Sequence, residues 1–214
     1  MASSDFYSAL VADQKKEEVE SSAGDMNQLL TWLSGGDLRS DGMANEAAQF
    51  VLANPQVFED LFAGLSEPED VIRGRTADAL EKIARDRPDL LIDHLQEMVD
   101  LAKIDPVPMV KMHLAMIFGH FTVYEESLEQ LISALFDLLA DESVFTRSWA
   151  IVSLCIIGRK YPQECQRIIN HLSQLQGDQS IAIRSRVKNA LIILTDPKAQ
   201  FPKGWIKSEQ LQEI

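Results

Sequence analysis

Cysteine is nearly missing: among 214 residues only Cys155 and Cys165 occur. Neither sits in a metal-ligand or Cys-x-x-Cys spacing, so a zinc site or redox centre is not expected, and both should be buried free thiols inside helices. Long apolar runs are missing too. The longest, residues 149–158, lies between Arg147 and Arg159 and is half of the ~20 residues that a bilayer span requires. Residues 1–10 have neither the basic stretch nor the apolar core of a secretory signal. A cytoplasmic location is therefore expected, with the nucleus as the alternative. Catalytic signatures are absent as well: no Gly-rich phosphate loop closed by Lys-Ser/Thr, no His-Glu-x-x-His and no Gly-x-Ser-x-Gly elbow. The expectation is a non-enzymatic protein with no cofactor and no metal. Strand-like alternation occurs nowhere, which leaves an all-α fold.

Positive charge is scarce in the first half. Residues 1–100 carry 21 acidic and 8 basic side chains, whereas residues 101–214 carry 12 of each, so the net charge of −13 originates before residue 101. From Arg147 to Lys207 the balance reverses, with 10 basic and 3 acidic residues. An acidic body with a basic end suits a partner of complementary polarity.

What the chain does contain is a repeat. An acidic residue is followed six positions later by a basic one in Glu67/Arg73, Asp105/Lys111, Asp141/Arg147 and Asp178/Arg184, and the bases are 38, 36 and 37 residues apart. Just before each base stand Ile72, Val110, Thr146 and Ile183. Three positions after come Thr76, Leu114, Ala150 and Val187; seven after, Leu80, Phe118, Leu154 and Leu191; ten after, Ile83, Phe121, Ile157 and Leu194. These offsets trace one stripe of a 3.6-residue helix. Small residues nearby (Ala77, Ala79, Ala115, Ser153, Ala190) would let a neighbouring helix approach closely. Pro55, Pro68, Pro88, Pro106, Pro108 and Pro162 fall in turns or first helical positions, where a missing N–H costs nothing. Helix pairs are predicted at 42–53 and 56–65, 69–86 and 89–103, 107–121 and 125–140, 143–160 and 163–176, followed by a last helix at 180–195. Residues 1–25 read as a flexible arm and 26–196 as the repeat domain. A short opening helix is predicted from Asp25 through Leu33, stopped by Gly35-Gly36. Residues 197–214 read as a C-terminal cap or tail in which Phe201, Trp205 and Ile206 cover the last apolar face.

The acid in the turn, the base six residues on, the apolar residue before it and the small-plus-leucine patch after it resemble the HEAT repeat over about residues 38–196. That resemblance implies an all-α solenoid of about five stacked helix pairs wound as a right-handed superhelix, with the acid–base pairs forming a ladder along the stack. It also implies that the second helix of each pair lines the concave side. There the positions off the apolar stripe are Asp93, Glu97 and Asp100, then Glu126, Glu129, Ser133 and Asp137, then Arg167, Asn170 and Gln174. An acidic groove that changes sign toward the C-terminus is expected to hold a basic or extended segment of a protein partner, no membrane being involved. A HEAT-like hydroxylase would need His-Glu dipeptides, and His94, His113, His120 and His171 precede leucine or phenylalanine instead. His113 and His120 lie two helical turns apart, about 10 Å, too far to share a metal, and are expected at the surface or partly packed. Met109, Met112 and Met116, with Met98, read as core filling. Trp149 falls at a position that is polar in the other repeats (Arg75, His113, Arg186); it is read either as an exposed anchor for a peptide or a base or as packed against a neighbouring long side chain. With Arg184, Arg186 and Lys188 it gives the alternative reading, nucleic-acid binding at the basic end, which the overall charge opposes. An accessory subunit of an enzyme complex is the other alternative.

Overall fold

The computed structural model describes residues 28–214. All regular structure among these residues is helical, and the chain divides into two compact units, residues up to Thr76 and Ala77–Ile214, the division falling inside one helix.

The first unit holds α1 (residues 28–33), α2 (Ala44–Ala53), α3 (Phe58–Phe62) and the opening turns of α4 (Asp70–Asp86). The arm at 1–25 and the start of the opening helix lie outside the described residues. α1 stops at Leu33, followed by Gly35 and Gly36 at φ 73° and 69°. A helix leaves its last carbonyls without partners, and here one side chain satisfies them. Arg75, only 4% exposed, donates to the carbonyls of Leu33 (3.0 Å), Ser34 (2.9 Å), Gly35 (2.7 Å), Asp37 (3.1 Å) and Ser40 (3.1 Å). Its planar fork of donors suits it to this task, which a lysine could not perform. Gly42, at φ 55°, lies where a Cβ would come within 2.8 Å of that guanidinium, so glycine is required there twice over.

The second unit contains the rest of α4 and then α5 (Leu95–Ile104), α6 (Pro108–His120), α7 (Leu128–Leu138), α8 (Val144–Lys160), α9 (Pro162–Ser173) and α10 (Ile181–Thr195). First helices (α6, α8, α10) pack on one another, as do second helices α5 and α7, so successive pairs stack side by side. The short repeat is accommodated in the second helices. α5, α7 and α9 have 10, 11 and 12 residues, against 17 in α8 and 15 in α10. Tight 3-10 turns such as Pro88–Leu90, Ile92–His94 and Glu125–Ser127 take the residues that would otherwise extend them.

The apolar stripe forms the core as its periodicity requires. Val110, Leu114, Phe118 and Phe121 are fully buried, as are Ala150, Leu154 and Ile157. On α10, which lacks a following pair, Leu191 and Leu194 are half-buried. α8 is covered on nearly every side, from Thr146 to Gly158, because it touches α6, α7, α9 and α10. The small residues work as expected: a Cβ on Gly119 would stand 2.6 Å from Ser153 Oγ, which donates to the Ala115 carbonyl at 2.7 Å. Two expectations need correcting. Cys155 is buried but Cys165 is half-buried, because α9 is the thinly covered edge of its pair. His113 and His120 are buried rather than superficial, since α4 and the C-terminal tail close over them.

Candidate functional site

The acids of the acid–base pairs stand in the turns between helix pairs, and the bases in the first turns of α4, α6, α8 and α10. Each aspartate first orders its own turn: Asp105, Asp141 and Asp178 accept from the backbone N–H of Val107, Ser143 and Ser180 at 2.7–2.8 Å. The bases then reach forward to the next turn. Lys111 Nζ lies 2.9 Å from Asp141, and Arg147 pairs with Asp178. That N–H bond, with Arg147 beside it, holds the Asp178 carboxyl below its ordinary range although burial opposes ionisation. At the end of the series Arg184 donates to the carbonyls of Asp178 and Gln179 at 2.6 and 3.0 Å. In the first unit Arg73 bonds the Glu67 carbonyl at 2.8 Å and the Asp70 carboxylate at 2.6 Å, so there the backbone of Glu67 is engaged.

On α5 and α7 Glu97, Asp100, Glu129 and Asp137 are all exposed, as are Asp93 and Glu126 in the 3-10 turns just before them. α5 and α7 are joined on this side by Gln96 and Gln130, 2.9 Å apart, so their acids share one surface. Tyr124 senses that field: burial first, then Asp89, Glu126 and Asp93, push its hydroxyl above the ordinary range. Glu97 faces His94 at 3.9 Å and Asp100 faces Lys103 at 4.0 Å, both loose contacts. Glu129 is different. Arg167 on α9 grips it at 2.5 and 2.8 Å and lies over the Phe136 ring, which stacks on His171 at 3.7 Å. The sign change expected along this surface is thus partly an internal ion pair. Asn170, exposed, accepts from Gln166 at 2.9 Å.

The first helices present a second surface. Positions two, five and nine after the ladder base form a further stripe, read as His113, Met116 and His120 on α6 and Trp149, Val152 and Ile156 on α8. Glu81 of α4, with no exposed side-chain area, accepts from His120 Nε2 at 3.0 Å and from Arg85 Nε at 3.1 Å. Burial opposes its ionisation, yet the hydrogen bonds from His120 and Arg85 outweigh it and bring its carboxyl down to about 2. His113 faces Asp78 at 3.4 Å.

The C-terminal tail runs over this stripe. Its origin is tied down by Arg159, which donates to the carbonyls of Ile193, Asp196, Pro197 and Ala199 at 2.6–3.0 Å, a mirror of the Arg75 arrangement. Trp205, 6% exposed, meets Arg186 at 5.2 Å, and Arg186 in turn lies 5.9 Å from Trp149. Lys207 Nζ stands 4.8 Å over the Trp149 ring and 3.9 Å from Glu81. Ser208 Oγ donates to the Arg85 carbonyl at 2.7 Å, and Leu211 is buried. The tail therefore does not simply close the last pair. It returns across α10, α8 and α6 to α4, where Lys207 approaches Glu81 and Ser208 bonds the Arg85 carbonyl. Of the two readings of Trp149, the packed one is seen: the ring is half-covered, with the long side chains of Lys207 and Arg186 against it. Of the alternative nucleic-acid set, Lys188 is exposed, Arg184 is spent on carbonyls and Arg186 is turned against the two tryptophans.

No group of histidine, cysteine and acidic side chains among the described residues could hold a metal ion, and no described helix is long and apolar enough to cross a membrane. Burial pushes the Cys155 thiol up, away from nucleophilic form.

Residues 69–202 match the family model described as "Apoptosis inhibitory protein 5 (API5)". Among solved structures, a designed armadillo repeat protein is similar at 19% identity and a TM-score of 0.54, over 78% of this chain and 80% of the other. An engineered protein is similar at 16% identity and 0.56, over 81% and 80%. A computationally designed armadillo repeat protein for modular peptide recognition is similar at 20% identity and 0.55, over 79% and 73%. These likenesses establish an armadillo/HEAT-like helical repeat fold. No curated protein matches the sequence.

Proposed function

This chain belongs to the apoptosis inhibitory protein 5 family, and we propose that it works as a non-enzymatic interaction scaffold whose second-helix surface holds a basic, extended segment of a protein partner. The observation that carries this reading is the shared acidic surface of α5, α7 and the 3-10 turns that lead into them, on which Asp93, Glu126 and Asp137 are exposed and have no ion-pair partner among the described residues. Carboxylates arranged in this way raise the local concentration of a cationic segment and speed its encounter. Hydrogen bonds to its backbone would come from Gln96 and Gln130; Gln130 donates to the Gln96 oxygen at 2.9 Å and Gln96 donates to Asp100 at 3.0 Å. Glu129 contributes less charge than its neighbours because Arg167 neutralises it.

A labelled arginine- and lysine-rich peptide tests the reading. Its affinity is expected to fall steeply between low and physiological salt, since exposed charges are screened over ~8–10 Å there. Asp93→Lys with Glu97→Lys should abolish binding while leaving the circular dichroism unchanged. Binding that ignores both salt and the double substitution would remove this surface from consideration.

A further inference from the structure

The first-helix side of the second unit is built like an occupied peptide site. Between Trp205 and Leu211 the chain has no regular structure beyond the short turn Glu209–Leu211, yet Trp205, Ser208 and Leu211 are all buried. They are the footprints of an extended segment on a preformed surface: an aromatic ring, a hydroxyl and an aliphatic side chain, with a lysine between the first two. Three first helices supply the receptor groups for Trp205, Lys207 and Ser208. Arg186 of α10 receives Trp205, Trp149 of α8 and Glu81 of α4 receive Lys207, and the Arg85 carbonyl receives Ser208.

Two features distinguish this from permanent core. The receptor groups are already organised without the tail, since Glu81 holds His120 and Arg85, and Ser153 holds the Ala115 carbonyl. The tail's own attachment is loose in comparison: Lys207 Nζ stays 3.9 Å from Glu81, a small void remains between Met116, His120, Trp149 and Trp205, and the buried Nδ1 atoms of His113 and His120 are unsatisfied. The strap also has a natural hinge. Arg159 fixes the chain as far as Ala199, whereas Gly204, at φ 84°, has open space around its Cα and permits the turn into Trp205.

We propose that this surface is a peptide-binding groove for which the chain's own tail is a resident, displaceable ligand, and that it accepts in trans a partner's extended segment of the pattern aromatic-x-Lys-Ser-x-x-Leu. Lysine is specified by the Glu81 carboxylate and the Trp149 ring, which both attract an ammonium, although burial draws the Lys207 pKa below its ordinary value. Displacement by a partner frees the tail, so occupancy of the groove and release of residues 200–214 are one event.

The test uses the full chain carrying Trp205→Ala and Lys207→Glu, which disables the resident tail and leaves Glu81, Trp149 and Arg186 intact. A fluorescein-labelled peptide copying residues 201–214 is expected to bind this variant and to bind the unsubstituted chain about a hundredfold more weakly, because a tethered competitor acts at roughly millimolar effective concentration. The same peptide carrying both substitutions should not bind. Absence of binding to a variant with native circular dichroism would overturn the proposal. Hydrogen exchange on the unsubstituted chain provides a second reading independent of the variant. Amides of residues 205–211 are expected to exchange well before those of α8, and exchange only together with α8 would show the tail to be permanent core. Light scattering should report a monomer at all concentrations; a dimer formed by exchange of tails would assign the groove to a second copy and overturn the partner reading.

Discussion

The two helix layers of the second unit use the same residue types for opposite purposes. On the second-helix side, carboxylates stand exposed, and apart from Glu129 they make at most loose contacts with basic side chains, as between Asp100 and Lys103 at 4.0 Å. On the first helices Glu81 has no exposed side-chain area and is held by His120, Arg85 and Lys207. The first arrangement adds almost nothing to stability and projects charge outward. In the second, the cost of burying a carboxylate is offset only while its partners remain in place. An acid on this protein is therefore read by its layer, and a substitution made in one layer should not resemble its counterpart in the other.

The largest contrast is expected from Glu81→Ala, which takes the buried carboxylate away from the half-buried Arg85 and Lys207 and from His120 and should lower unfolding free energy by about 3 kcal/mol in a urea titration. A loss below about 1 kcal/mol would mean that water reaches this cluster freely. Acid should separate the layers next. The unfolded chain protonates Glu81 near 4.5 while the folded chain holds out to about 2, so this group supplies about 3 kcal/mol above pH 4.5 that is lost as pH falls through 2. His113 acts earlier and in the same direction. Burial keeps its ring neutral against the pull of Asp78 and Glu81, so the unfolded state takes up the proton first and stability declines below about 6.5. Melting temperature measured against pH should show both stages, and His113→Gln should erase the upper one. The smallest effect belongs to Asp93→Asn with Glu97→Gln, where the unfolding free energy is expected to move by no more than about 0.5 kcal/mol. A larger loss would show that the exposed acids support the fold.

Most of the fold was legible because its signal is local. Offsets from Arg73, Lys111, Arg147 and Arg184 identify the buried stripe, and prolines at 88, 108 and 162 open helices or turns where expected. The 3-10 turns were less legible, since a tightened end carries no residue type of its own. The exposed acids of α5 and α7 could be placed by periodicity, but the Arg167–Glu129 pair spans 38 positions and depends on how two second helices pack. The polar column containing Trp149 and His113 was visible as a departure from the apolar stripe. Its burial was not, for nothing near those residues covers them.

The sequence alone determined the helical repeat, its phase and the acid–base turns, because each follows from residues within one turn or one period of each other. Only the tertiary structure decided which polar side chains are buried. That choice rests on a tail whose Ser208 bonds to Arg85 across 123 positions. Closing so long a loop is an entropic cost that local pattern does not register and that only the assembled receptor, with Glu81, Trp149 and Arg186 already in place, can offset.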